Sequence, residues 1–257
     1  MQDVFEPLEL PDYHFLAGLI QSNVNLTNDQ RIRSLLVDYE EVGSPEIRAE
    51  LDRQLEREIR YLGSADIAYL TRYVMGREPG VSFQEVVRDA ARALKVEPPR
   101  PGSSREQVES VVAQYVTQQF AGLPREAQQK MLEDLGVQRE KAAAFLKRSA
   151  GVFAVPALVE AFGVIVVDGL IKNVIFGAIG RLIGRQLSTQ LFQFIAGRFP
   201  WWLRWIGPTA WTASIGWTVL DLQGPALRKT VPIVLYLGLC SMRQHGEGGS
   251  ARTTDRN

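Results

Sequence analysis

After Gly151 the chain nearly stops carrying charge. Residues 151–242 hold 3 acids (Glu160, Asp168, Asp221) and 7 bases (Lys172, Arg181, Arg185, Arg198, Arg204, Arg228, Lys229), whereas residues 1–150 hold 24 acids and 19 bases. The first part is therefore net −5 and the second net +4, although the whole chain is neutral. A long stretch so poor in charge must hide its apolar side chains in protein or in lipid.

No part of that stretch is a clean membrane span, which needs about 20 predominantly apolar residues. Val152–Val167 has a single charge, Glu160, but contains Pro156 and Gly163. From Phe199 to Leu220 only Arg204 is charged, yet Pro200, Pro208 and Gly216 interrupt the run. The segment "GPALRKTVPIVLYLGLC" (224–240) places Arg228 and Lys229 ahead of an uncharged run that carries Pro232. A charge at mid-bilayer costs on the order of 3 kcal/mol, so Asp168 and Lys172 need partners or an interface.

The part before Gly151 reads as helices with sharp start signals. In "SPEIRAELDRQLEREIRYLG", Ser44 caps, Pro45 takes the first helical position and Gly63 ends the helix. Ile47, Leu51, Leu55, Ile59 and Leu62 form one stripe opposite mixed charges. Ser82 with Glu85 and Ser103 with Glu106 have capping-box spacing, and Thr27 with Gln30 offers a third box. Ser64 caps a further helix, and "EPPRPGSS" (97–104) is a breaker. The expected fold is all-α: an N-terminal helical bundle followed by an apolar, Gly/Trp-rich region of helical hairpins. The expected boundaries are 1–43, 44–150, 151–243 and a disordered tail, 244–257.

Enzyme signals are poor. His14 and His245 are the only histidines, Cys240 the only cysteine, and no metal, nucleotide or nucleophile-elbow motif is present. Glu160 and Asp168, two turns of helix apart, could share a helical face as a carboxylate pair, but caps or ion pairs with Lys172 and Arg185 are the stronger reading. No cofactor, metal or nucleic-acid partner is expected. The stretch from Met1 to Phe15 contains no apolar leader, which points to a cytoplasmic origin.

Three segments in the same order, "EIRYLGSADIAYLTRY" (58–73), "FQEVVRDAARALKV" (83–96) and "GPALRKTVPIVLYLGLCSMR" (224–243), resemble the YaaW-type family of uncharacterised bacterial proteins. That family has been grouped remotely with ubiquinol–cytochrome c chaperones. The resemblance implies a helical fold with an apolar C-terminal part, and assembly work only weakly. It supplies no activity and no catalytic residue. The tryptophan-rich block departs from the family pattern, which is Gly/Ala-rich there.

All five tryptophans (Trp201, Trp202, Trp205, Trp211, Trp217) fall between positions 201 and 217. With Arg198 and Arg204 they suit a membrane–water interface, and an aromatic core or a protein docking surface remains open. Arg228 and Lys229 read as juxtamembrane cations or as internally paired groups. The functional expectation is a non-enzymatic protein that associates with, or conditionally inserts into, a membrane through its C-terminal half, with pore formation a further step. The partner is then membrane lipid at the inner membrane, bound peripherally or integrally. Residues 1–150 are free to bind a protein, and a homo-oligomer is compatible. The alternative is a soluble assembly chaperone that docks through the tryptophan block.

Overall fold

A computed structural model describes residues 1–20, 26–63, 81–182 and 225–247. They form α1 (Gln2–Phe5), α2 (Leu10–Ile20), α3 (Leu26–Val42), α4 (Pro45–Leu62), α5 (Phe83–Ala93), α6 (Ser104–Ala121), α7 (Arg125–Asp134), α8 (Arg139–Ser149), α9 (Val155–Phe162), α10 (Val164–Leu182) and α11 (Pro225–Glu247). The fold is all-α, with no strand among the described residues. The tryptophan block, Arg198, Arg204, Asp221, the helix expected after Ser64 and residues 248–257 lie outside them.

Local chemistry sets the helix ends. The Ser44 hydroxyl accepts from the Ile47 amide at 3.2 Å, with Pro45 opening α4. Both expected capping boxes form: Ser82 and Glu85 start α5, and Ser103 and Glu106 start α6. Each satisfies two of the amides that a helix start leaves open. The third falls at the edge of the described residues: α3 is described from Leu26, so Thr27 already lies within the helix. α5 ends in a Schellman motif without glycine. Lys95 takes φ +58°, its amide donates to the Arg92 carbonyl, and the Val96 amide donates to the Ala91 carbonyl, both at 3.0 Å.

The last helix is the axis of the molecule. α11 packs against α6, α10, α5, α2, α4 and α1, and every residue from Thr230 to Ser241 is buried. Pro232 lies inside the helix. It has no amide hydrogen to give the Arg228 carbonyl, and the helix continues through it. Gly238 permits the crossing with α6: a Cβ there would lie 2.5 Å from Val112 Cγ2 and 2.7 Å from the Val108 carbonyl oxygen. Farther along the core, the Tyr236 hydroxyl donates to the fully buried Asp12 carboxylate at 2.6 Å, and the Glu9 amide donates to the other oxygen at 2.8 Å.

One hydrophobic cluster therefore runs from Val4 and Phe5 through Leu55, Val112 and Leu146 to Ile175 and Leu235. It crosses the sequence-drawn boundaries at 43/44 and 150/151, so the charged half and the apolar residues 231–242 share one core. The apolar stretch needs no lipid there; helices of the acidic half supply the cover.

Candidate membrane-contact surface

Where α8 gives way to α9 and α10, apolar side chains turn outward. Val152 is 80% exposed, Ile165 82% and Val164 49%. Ala154, Pro156 and Ala157 are exposed beside them in the chain. Backbone geometry builds this elbow. Ala150 ends α8 in the left-handed conformation (φ +49°), and Gly151 follows at φ +84°. Gly163 separates α9 from α10 at φ +86°, ψ 163°, a region open essentially to glycine alone. The turn gives each helix its own inward face: Leu158 of α9 and Val167, Leu170, Ile171 and Val174 of α10 are buried.

Aromatic rings hold the elbow to the body. Phe153 packs edge-on against Phe120 at 4.9 Å and stacks with Phe145 at 6.1 Å. Phe145 in turn meets Phe162 edge-on at 4.7 Å. Phe153, just before α9, and Phe162, at its end, thus both meet a single ring of α8. Lys141 Nζ lies 5.9 Å from the Phe162 ring centroid, a cation–π contact that brings a charge to the same corner. Lys141, Phe145 and Arg148 share one helical face by their spacing of four and three. Between residues 139 and 165 there are four cations (Arg139, Lys141, Lys147, Arg148) and two anions (Glu140, Glu160), a net of +2. Lys141 is the cation placed at this corner, while Arg139 pairs with Glu133 at 3.4 Å.

The cations expected near the last helix divide. Arg228 is exposed. Lys229 is partly buried, and its ammonium donates to the Ile20 carbonyl, the last of α2, at 3.0 Å. Burial pulls its pKa below the usual lysine range, against the opposing fields of Asp29 and Glu58. Lys229 is engaged inside the bundle, where it ties α11 to α2.

The other polar clusters are structural ties. Arg48 Nη2 faces the carbonyls of Phe5, Glu6 and Leu8 at 3.2, 2.9 and 3.3 Å, which pins the N-terminal turn to α4. Its Nε donates to the Tyr13 hydroxyl at 3.3 Å, and that hydroxyl donates to Asp52 at 2.6 Å. Burial, then the bond and charge of Asp52, raise the Tyr13 phenol above its ordinary range. Asp168 pairs with Lys172 one turn along α10. Glu160 is exposed on α9, beyond the Gly163 turn, so the two carboxylates lie on different helices and share no face. No cluster of metal-ligating side chains is present among the described residues.

Sequence reading singled out the 152–167 run but neither Val152 and Ile165 as its exposed members nor Lys141 as the cation beside Phe162. The available signal was the pair of turns, Ala150-Gly151 and Gly163, that bracket the run. Among the described residues no helix is long and apolar enough to cross a membrane. That leaves the expected transmembrane and pore-forming roles without a described helix to carry them.

No protein-family model matches the chain, and no solved structure matches it. A Helicobacter pylori protein described as UPF0174 protein is 22% identical over 201 residues, covering 76% of this chain and 72% of that one. The chain is thus similar to a bacterial protein of uncharacterised kind, and nothing in the comparisons bears on a link to chaperones.

Proposed function

We propose that this is a non-enzymatic protein that docks peripherally on an anionic membrane surface, the inner leaflet of a bacterial cytoplasmic membrane, through the elbow at residues 150–165. The observation that carries the reading is the outward display of Val152, Val164 and Ile165, with Lys141 held over the Phe162 ring between them in the chain and Arg148 on the same face of α8 by its spacing. Full burial of such a side chain is worth on the order of 1.5–3 kcal/mol. Each cation near an anionic leaflet adds about 1 kcal/mol. Two or three of each give reversible, salt-sensitive attachment and stop well short of insertion. The tryptophan block with Arg198 and Arg204 is a second contact of the same kind, argued from its composition alone.

The test is co-sedimentation of the full chain with vesicles. Binding to phosphatidylcholine vesicles containing phosphatidylglycerol is expected, with weaker binding at high salt and to pure phosphatidylcholine. Val152→Asp with Ile165→Asp should abolish it, and Lys141→Glu with Arg148→Glu should reduce it severalfold. Trp201→Ala, Trp202→Ala and Trp205→Ala together report whether the tryptophan block shares the contact, through loss of a lipid-dependent blue shift in fluorescence. A chain that stays in the supernatant with every vesicle, yet forms a stoichiometric complex with one protein, favours the alternative, assembly-chaperone work through the tryptophan block.

A further inference from the structure

The connection from α5 to α6 contains Glu97-Pro98-Pro99-Arg100-Pro101-Gly102. Proline fixes its own φ at about −65°, and a residue that precedes proline is driven to extended or polyproline II geometry. Glu97, Pro98 and Arg100 all precede a proline, so nearly every backbone angle of the segment is limited by covalent chemistry. It makes no helix or strand over residues 97–100.

Both ends are fastened to the same helix. The Gln114 side-chain carbonyl accepts from the Glu97 amide at 3.1 Å, and its amide donates back to the Glu97 carbonyl at 3.3 Å. Two turns earlier on α6, Gln107 donates to the Gly102 carbonyl at 3.0 Å. The Ser103–Glu106 capping box fixes the residue that follows. Between these anchors the segment stands off α6, over a cavity of about 350 Å³ lined on the helix side by Glu106, Ser110 and Gln114. Pro98, Arg100 and Pro101 are exposed.

We infer that residues 97–102 form a pre-shaped polyproline strap that docks into the aromatic-lined groove of a proline-recognising protein domain. With three residues per turn, Pro98 and Pro101 stand on the same edge, the spacing such grooves read. Arg100 is exposed between the two prolines and lines the same cavity, a cation that suits a partner groove with an acidic rim. Pinning at both ends removes most of the entropy that a free proline-rich segment loses on binding. The strap lies in the charged half of the chain, and the inference stands independently of the membrane reading.

The probe is an isolated, isotope-labelled SH3 domain with an acidic groove rim, titrated with the unlabelled full-length protein and followed by NMR. Saturable shifts confined to the groove aromatics are expected. Pro98→Ala with Pro101→Ala should weaken binding by about tenfold or more, and Arg100→Glu should weaken it and flatten its salt dependence. Gln114→Ala, which leaves every proposed contact residue in place, should weaken binding by freeing the strap. Circular dichroism of each variant checks that the bundle is intact. Absence of groove shifts with the unaltered chain overturns the inference, as do shifts that the double proline variant reproduces.

Discussion

The final helix and the elbow are alike in composition and opposite in exposure. Val231–Met242 carries no charge, and Val152–Val167 carries only Glu160. The first is buried throughout from Val231 to Ser241, while the second shows Val152, Val164 and Ile165 to solvent. What separates them is the supply of covering faces. Among the described residues α11 packs against α6, α10, α5, α2, α4 and α1, and Gly238 lets α6 approach to backbone contact. The elbow turns twice in quick succession, at Ala150-Gly151 and at Gly163, and leaves an open side on α9 and on the first residues of α10, Val164 and Ile165, whereas α10 shows no exposed residue from Val166 to Gly180. Apolarity alone decides neither outcome; a run is buried where helices can close around it.

The sharpest way to break that account is at Gly238. An alanine Cβ would press on the Val108 carbonyl, which is helix backbone and cannot step aside. Gly238→Ala should cost about 3 kcal/mol, or roughly a 10 °C loss in Tm for a chain of this size. A thermal melt followed by circular dichroism reads it directly. An unchanged Tm would mean that α6 and α11 are not in close contact, and the sealed half of the comparison would fall.

Next in size is the buried pair Tyr236–Asp12. Tyr236→Phe removes the hydroxyl and leaves a fully buried carboxylate short of one donor, at a cost of about 1–3 kcal/mol in a urea titration. Tyr13, one residue along α2, sharpens the contrast through pH. Its phenol is raised above the unfolded value, so its share of stability is present below about pH 10 and lost as pH rises through the folded-state value. The gap in urea midpoint between wild type and Tyr13→Phe should be largest near pH 8 and should shrink by pH 11. A gap independent of pH would mean that the phenol is not held by Asp52.

The helix starts were legible because they are local. Ser44, Ser82, Glu85, Ser103 and Glu106 act on amides three residues away, Pro45 takes the first helical position, and the structure places each as its spacing predicts. Leu51, Leu55 and Ile59, the centre of the α4 stripe, are fully buried for the same reason. The position of α11 was not legible. Its fixing contacts are Tyr236 to Asp12 and Lys229 to Ile20, across 224 and 209 residues. No local period encodes such pairings. Lys229 shows the consequence: ahead of an apolar run it reads equally as a lipid-facing cation or as an internal tie, and only the arrival of the α2 terminus decides. The elbow was half legible, since its turns are written in glycines but the side that faces out depends on where Phe145 sits.

The smallest expected effect on stability tests the other half of the comparison. Ile165 is 82% exposed and so has little burial to lose. Ile165→Ser should therefore change the urea midpoint by no more than about 0.5 kcal/mol equivalent. The same substitution removes an apolar side chain from the proposed lipid contact, where burial of up to about 3 kcal/mol is at stake, and vesicle affinity should fall by about tenfold or more. The two readouts must separate. If Ile165→Ser lowers stability and vesicle affinity together, Ile165 is a core residue whose loss loosens the fold, and the elbow is then no different in kind from the helix it is set against. Unchanged stability with lost binding is the result that distinguishes a surface kept apolar for a partner from a core left incompletely covered.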